Sequence, residues 1–493
     1  MASNLPHLCL RKIFKFLSND KNDTYILRRK NIHSCVLTNR YWCEMAIPFL
    51  WKEPFTGSLN SIKSIILVNV LIINFSEQEL KSLNLNSILK KYNKTTFDYI
   101  KFIRTLIVNA VIEATAFWLQ NNPNISNECP IANNLLKKII LNASNLEHII
   151  SNSNINVFKF PISKNYFSNL IELTGFDEGI SGIYSSISKV AENIKILRFS
   201  LTNNHITNSN TVNDISKIIK NQKNLQHFSV DNRLNCYCCS QEYSSLDFTS
   251  IFFSLTTQSK SLRYIGLYDI NFFSNFPLKQ LTLFDNLNHL EITRCYNFVM
   301  ENFHDLIQHC IIYNSNLSHF LSFIHSNEIL LLPKFFKSCQ FLKHFEIWDI
   351  NYSSNIINNN QLLDKLINID DNLLLNISES IPSNLKIFNI IMNWSFSTIY
   401  FDYFLKNLEN FNIHLDYLGF PFCSNFTNDH LELIIKNLNY PLKCLNIRNA
   451  NNIKYDNVER SSKFVKNLVV PNNIRRFVEY DKYFYDIINQ NSF

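Results

Sequence analysis

Glycine is nearly missing from this chain of 493 residues: Gly57, Gly175, Gly179, Gly182, Gly266 and Gly419 are all it has, where ~7% would be ordinary. No grouping of these six makes the G-x-G-x-x-G of a dinucleotide fold or the G-x-x-x-x-G-K-[ST] of a phosphate loop. A G-x-S-x-G nucleophile elbow is absent too. Long apolar runs are also missing. The best stretch, Ile65 to Phe75, is interrupted by Asn69 and Asn74, and a bilayer span needs ~20 residues. No basic-then-apolar leader opens the sequence, so no secretory signal is expected. Strong charge is lacking as well: 18% of residues are charged and the net charge is +7, too small a basic field for a nucleic-acid binder of this size. What charge there is sits unevenly. Residues 1–55 carry nine Lys/Arg against four Asp/Glu, and the other 438 residues share only +2. That points the N-terminus toward an acidic protein partner. Asparagine is the opposite of glycine, with 72 residues, so N-x-[ST] triplets such as Asn22-Asp23-Thr24 are expected by chance. The 12 scattered cysteines read as reduced thiols.

With 46% hydrophobic residues the chain can bury a large core, and its length fits roughly three domains or one long repeat array. At the N-terminus, Leu10, Ile13, Phe14 and Leu17 recur at helical spacing. Ser3 or Asn4 is placed to cap that helix, with Pro6 in the first turn. After a polar loop, Ser18 to Thr24, the stretch Ile32 to Trp51 reads as two short helices stopped by Pro48. Arg28-Arg29-Lys30 and Lys52 read as a solvated helix face, too short a basic run for an import signal.

Three pieces of this region, Leu-Pro-x-x-x-Leu-x-x-Ile-Phe-x-x-Leu, Ser-Cys-x-Leu-x-Asn-Arg-x-Trp and Ala-x-Pro-x-Leu-Trp, together resemble an F-box. F-box proteins dock a small helical module on Skp1, the adaptor of cullin–RING (SCF) ubiquitin ligases. The resemblance implies Skp1 contacts at Leu5, Pro6, Ile13, Phe14, Leu17, Leu37 and Trp42, with Pro48, Leu50 and Trp51 closing the module. The segment from Ser18 to Lys30 departs from the family in being longer and more basic, which leaves the start of the second helix open.

Beyond it, the pattern apolar-x-x-apolar-x-apolar recurs from Ile103, Leu146, Leu170, Ile194, Leu225, Leu262, Leu287, Leu317, Leu342, Leu385, Leu415, Leu442 and Ile474. Most intervals lie near the ~20–29 residues of leucine-rich repeats. Two are 43 residues, each an insertion or a missed repeat. Leu317 is a weak member, with Ser322 at its third apolar position. Helical stretches fall between, at Tyr296 to Cys310 and at Thr427 to Ile435, where Thr427 is the cap. A strand plus a helix cannot bury its apolar face alone, so the units must stack. Leu287 to Cys295 and Leu415 to Cys423 read L-x-x-L-x-(apolar)-x-x-C, similar to the cysteine-containing repeats that follow the F-box in many F-box–LRR proteins. Between module and repeats, Leu59 to Phe75 reads as a helix and Ser76-x-x-Glu79 as a capping box.

Histidine occupies the third repeat position five times, at His148, His227, His289, His319 and His344, where composition predicts about 0.3. In this architecture those positions line the concave face. They form a broken polar-aromatic column there with Tyr264 and Tyr417, and this column is the candidate for contacting a protein partner. Asparagine precedes the first apolar position at Asn145, Asn169, Asn193, Asn224, Asn286, Asn316, Asn384 and Asn473, which predicts turns with φ > 0. The Cys236-x-Cys238-Cys239 cluster near His227 lacks a second ligand pair at zinc spacing, so no metal or other cofactor is expected. No H-E-x-x-H and no marked triad occurs, so no enzymatic chemistry is expected either.

The expected fold class is α/β. A small all-helical F-box at 1–55 leads to a helical connector at 56–100 and a leucine-rich-repeat solenoid at 101–480, with parallel strands on the concave face and helices on the convex face. A tail at 481–493 follows. The implied function is substrate recognition in an SCF E3 ubiquitin ligase: Skp1, and through it a cullin–RING ligase, on one end and an unknown target protein on the repeats. Neither nucleic acid nor membrane is an expected partner, and the expected location is cytoplasmic, nuclear or both. The alternative is an interaction scaffold without a ligase role.

Overall fold

Twelve of the thirteen apolar-x-x-apolar-x-apolar segments become strands, because the pattern places alternate residues on a buried face. The structure, a computed structural model, describes residues 5–19, 25–56, 61–85, 95–123, 125, 128–151, 167–176, 187–201, 209–231, 248–268, 270, 278–293, 317–324, 326–349, 372–392, 394–421, 423, 425–447, 453, 460 and 464–469. It is α/β, with thirteen described strands, every pairing parallel, and helices between them. Two compact units divide it: Met1–Arg233 with Leu246–Gln258, and Leu234–Ser245 with Ser259–Phe493.

The first unit begins with three helices, α1 (His7–Asn19), α2 (Tyr25–Val36) and α3 (Arg40–Leu50). They pack around Leu10, Phe14, Ile32 and Ala46. Pro6 stands one position earlier than expected: its carbonyl accepts from Cys9 N and Leu10 N, at 2.9 and 3.2 Å, in the manner of a cap. Asn39 caps α3 by accepting from Trp42 N at 2.9 Å. Pro48 does not stop α3, which runs on to Leu50. With only the last turn left to form, the missing N–H removes one bond, and Trp51 N still reaches Ile47 O at 3.0 Å.

Then come α4 (Ser61–Ile72), α5 (Glu77–Ser82), α6 (Val108–Gln120), α7 (Glu128–Asn142), α8 (Ser209–Asn221) and α9 (Thr249–Leu255). The predicted capping box starts α5: Ser76 N donates to Glu79 Oε2 at 2.6 Å and Glu79 N to Ser76 Oγ at 3.3 Å. Five strands pair in chain order: β1 (Thr105–Ile107), β2 (His148–Ser151), β3 (Glu172–Phe176), β4 (Ile196–Ser200) and β5 (His227–Asp231). The N-terminal helices share this unit rather than standing apart. Trp51 stacks on Tyr99 at 4.3 Å, and Lys52 O accepts from Arg104 N and Thr105 N, at 2.9 and 3.1 Å, where β1 begins.

The second unit holds β6 (Tyr264–Tyr268), β7 (His289–Thr293), β8 (His319–Ile324), β9 (His344–Asp349), β10 (Ile387–Ile391), β11 (Tyr417–Gly419), β12 (Leu442–Asn446) and β13 (Val465–Val469), again paired in chain order. Its described α-helices are α10 (Leu332–Ser338), α11 (Asn372–Ser378), α12 (Thr398–Asn410) and α13 (Asn428–Asn437). Thr427 caps α13 as expected, with His430 Nδ1 accepting from Thr427 N at 3.1 Å. The second positions of β8, β9 and β10 face the helices. Phe320, Phe345 and Phe388 stack in register at 6.0 Å intervals, and Phe335, Phe336 and Phe404 close over them. Truncating one such buried phenylalanine to alanine costs about 3–5 kcal/mol.

Three expectations change. Both 43-residue intervals are insertions, since β1 pairs directly with β2 and β9 directly with β10. A further repeat, in the last described strand, begins at Val465, which lies in register with Leu442; Ile474 falls outside the described residues, as do the proposed helix from Tyr296 to Cys310, Cys295, Asn316, Asn473 and the Cys236-Cys238-Cys239 cluster. And none of the other six asparagines has φ > 0. Among the described residues, the non-glycine ones that do are Asn84 and Asn412.

Candidate protein-interaction site

In both units the residue before each strand sets its start. In the first, the carbonyls of Arg104, Glu147, Ile171 and Lys195 each accept two N–H groups from the next repeat, at 2.8–3.0 Å. In the second, Arg263, Asn288, Ser318, Lys343, Lys386 and Asp416 do the same, at 2.7–3.3 Å. This fixes the register within each unit, so the first residues of β1–β5 fall in one row in the first unit, and those of β6–β11 fall in one row in the second, continued by Cys444 and Asn467.

These rows contain the predicted column. In the second unit Tyr264, His289, His319 and His344 occupy consecutive strands, followed by Ile387 and Tyr417. Tyr264 and His289 lie 4.3 Å apart, His289 and His319 stack at 4.6 Å, and His319 meets His344 edge-on at 5.9 Å. His148 and His227 take the corresponding row in the first unit, separated by Glu172 and Ile196. Two members differ from the expectation: His344 and Tyr417 are buried. The accessible part of the second unit's column is therefore Tyr264, His289 and His319.

A second row of carboxylates was not anticipated. Glu291 and Glu346 sit two residues after His289 and His344, on the same face, and His-x-Glu on alternating strand positions was the available signal. Tyr264 OH donates to Glu291 Oε2 and also meets Tyr268 OH, both at 2.7 Å. Burial pushes the Glu291 carboxyl up, but hydrogen bonds from His289, Tyr268 and Tyr264 outweigh it and hold the group ionised. His344 Nε2 and Glu346 Oε2 lie 3.6 Å apart, both buried. His319 is driven the other way: burial, then the charges of His289, His344 and Lys343, lower it to about 3, so it is a neutral ring at physiological pH. In the first unit Glu172 binds His148 Nδ1 at 3.0 Å and pairs with Arg198.

Two of the six glycines belong to this face. A Cβ at Gly266 would come 2.9 Å from the rings of Tyr264 and Tyr268, so glycine there lets the two tyrosines meet above the strand. At Gly419 it would lie 2.1 Å from Asn389 Oδ1.

The N-terminal helices form a separate surface. Phe14 is fully buried among them, and Leu17, Trp42 and Leu50 pack against the same core. Leu5 and Pro48 are half-buried, and Trp51 is turned onto Tyr99. Pro6, Ile13 and Leu37 are exposed, joined by Leu8 and Phe16, which the apolar spacing did not single out.

Among the described residues no group of three or more His, Cys, Asp or Glu side chains could hold a metal ion, and no helix is long and apolar enough to cross a membrane. Cys423 is buried and its thiol is pushed up to about 12, the state of a core side chain rather than a ligand. No family model matches the chain, and no curated protein matches its sequence.

Proposed function

We propose that the chain is the substrate-recognition subunit of an SCF E3 ubiquitin ligase, with α1–α3 as an F-box that binds Skp1 and the strand–helix units as leucine-rich repeats that hold a target protein. The observation that carries this reading is the exposed apolar patch on the N-terminal helices: Leu8, Phe16 and Leu37 are 69%, 68% and 72% exposed beside a complete core of Leu10, Phe14, Ile32 and Ala46. Large apolar side chains that a helical bundle leaves outside its own core, on the helices that carry the sequence motif, suit an adaptor surface. The F-box role is then carried by Leu5, Pro6, Ile13 and Leu37 together with Leu8 and Phe16, while Phe14 acts only through the core. The row Tyr264, His289 and His319 offers flat rings and fixed polar atoms to a target. The chain adds no chemistry of its own in this reading; tethering raises the effective concentration of the target's lysines near the activated ubiquitin.

Pull-down of purified Skp1 tests it. Wild type retains Skp1, and Leu5→Ala/Pro6→Ala or Phe16→Ala/Leu37→Ala reduces retention at least tenfold without changing the circular dichroism melt. Failure of wild type to retain Skp1 removes the ligase reading and leaves an interaction scaffold. Replacing His289 and His319 with alanine together leaves Skp1 binding intact and weakens target capture.

A further inference from the structure

A cleft of about 480 Å³ opens in the second unit at the edge where the strands begin. Arg263, Asn288, Ser318 and Lys343, the residues that precede β6, β7, β8 and β9, follow one another along it. Their carbonyls are already taken by the next repeat's N–H groups. Arg263 and Lys343 are the two cationic residues of the cleft's lining. No carboxylate lines the cleft, and neither cation has an ion-pair partner among the described residues. Corresponding positions elsewhere in each unit are neutralised. Arg104 pairs with Glu147 at 2.5 Å in the first unit, and Lys443 pairs with Asp416 at 3.0 Å in the second. Phe341, 57% exposed, forms an apolar wall beside Lys343.

We propose that this cleft binds an extended acidic segment of a partner protein, with two carboxylates about four residues apart and an apolar side chain against Phe341. Three strand steps of ~4.8 Å separate the Arg263 and Lys343 positions by ~14 Å, which an extended peptide rising ~3.3 Å per residue covers in about four residues. The spacing is too wide for one phosphate or one carboxylate to bridge. The guanidinium offers two parallel donors to the first carboxylate and the ammonium a point charge to the second. The cleft adjoins the histidine row, with Ser318 Oγ 2.8 Å from His319 Nδ1, but peptide binding there does not depend on Skp1 binding, so the two readings fail separately.

Fluorescence polarisation on the full chain tests it, with the labelled peptide Gly-Ser-Glu-Ser-Ser-Phe-Glu-Ser-Gly as probe. The peptide binds saturably, and binding weakens as sodium chloride rises from about 50 to 300 mM. Replacing both glutamates with glutamine weakens it at least tenfold, a comparison that needs no protein variant. Arg263→Ala and Lys343→Ala, both at exposed positions, each weaken it about tenfold with an unchanged thermal melt. No binding by wild type, equal binding of the glutamine peptide, insensitivity to both substitutions, or tighter binding of a labelled ten-nucleotide poly(U) each overturns the proposal.

Discussion

Asn84 and Asn412 hold φ of 57° and 54°, and each closes a helix. After α5, Leu85 N reaches Leu80 O at 2.8 Å and Asn84 N reaches Lys81 O at 3.2 Å; after α12, Ile413 N reaches Leu408 O at 2.8 Å and Asn412 N reaches Glu409 O at 2.9 Å. This is the left-handed helix stop that glycine usually supplies. The idea that asparagine replaces glycine thus holds, but at helix ends rather than before strands. Before strands it does different work. Asn193 Nδ2 donates to Ser168 O at 3.0 Å and Asn286 Nδ2 to Lys260 O at 2.7 Å, each tying its corner to the preceding repeat. Asn169 Nδ2 reaches Asn145 Oδ1 at 3.3 Å in the same sense. Asn412→Gly is expected to stabilise the protein by about 0.5–1 kcal/mol and Asn412→Ala to destabilise it by about 1 kcal/mol; denaturant midpoints separate the two. His319 gives a second residue-scale expectation. Its folded pKa, about 3, lies below the ordinary 6.5, so the unfolded chain binds a proton that the folded one does not. The stability this neutral ring contributes is complete above pH ~6.5 and is lost progressively as pH falls toward ~3. Melting temperatures from pH 7 to 4 therefore fall less steeply for His319→Gln than for wild type; parallel slopes would sink this account. A single sequence shows that histidine recurs at one position, but not that its neighbours in space are charged, because those neighbours come from other strands.

At the scale of elements, strand starts were legible because two signals coincide: apolar spacing defines the buried face, and a helix or turn precedes it. The Val465 repeat fits the same spacing through Leu468 and Val470, yet a competing match at Ile474 hides it. The partner strand brings it out: Val465 pairs with Leu442. What the sequence did not reveal is how corners are satisfied. Gln222 Oε1 accepts from Ile194 N at 2.8 Å while its Nε2 donates to Ala191 O at 2.9 Å, and Gln258 repeats the device on Leu225 N and Gln222 O at 3.2 and 2.7 Å. Glutamine in a helix-rich segment carries no such message by itself. The doubled carbonyl bonds make a sharper element-scale prediction. Lys386 N donates to Lys343 O at 2.8 Å, and the side chain is exposed. Lys386→Ala should change stability by no more than about 0.5 kcal/mol. Lys386→Pro, which removes the N–H and the register it enforces, should cost about 3 kcal/mol. Thermal melts of the two variants distinguish a backbone ladder from a side-chain one.

Across whole units, the N-terminal helices and β1–β5 lie in one compact unit. The carbonyl of Lys52 serves β1 just as Arg104 O serves β2, so the helices with the exposed apolar patch are joined to the first strand by the same bond that joins repeat to repeat. Within the first unit, the proposed adaptor surface therefore has a set direction relative to β1–β5, which the proposed positioning by proximity requires. Spacing and pairing, by contrast, are independent of each other. β9 and β10 match at five consecutive positions, from His344 with Ile387 to Trp348 with Ile391, although their repeats begin 43 residues apart. Loop closure costs only about 0.6 kcal/mol for each doubling of length. The outgoing connection after β9 is therefore a place where the chain can lengthen at almost no thermodynamic penalty: a natural graft point, able to take on new sequence while the sheet on either side keeps its register.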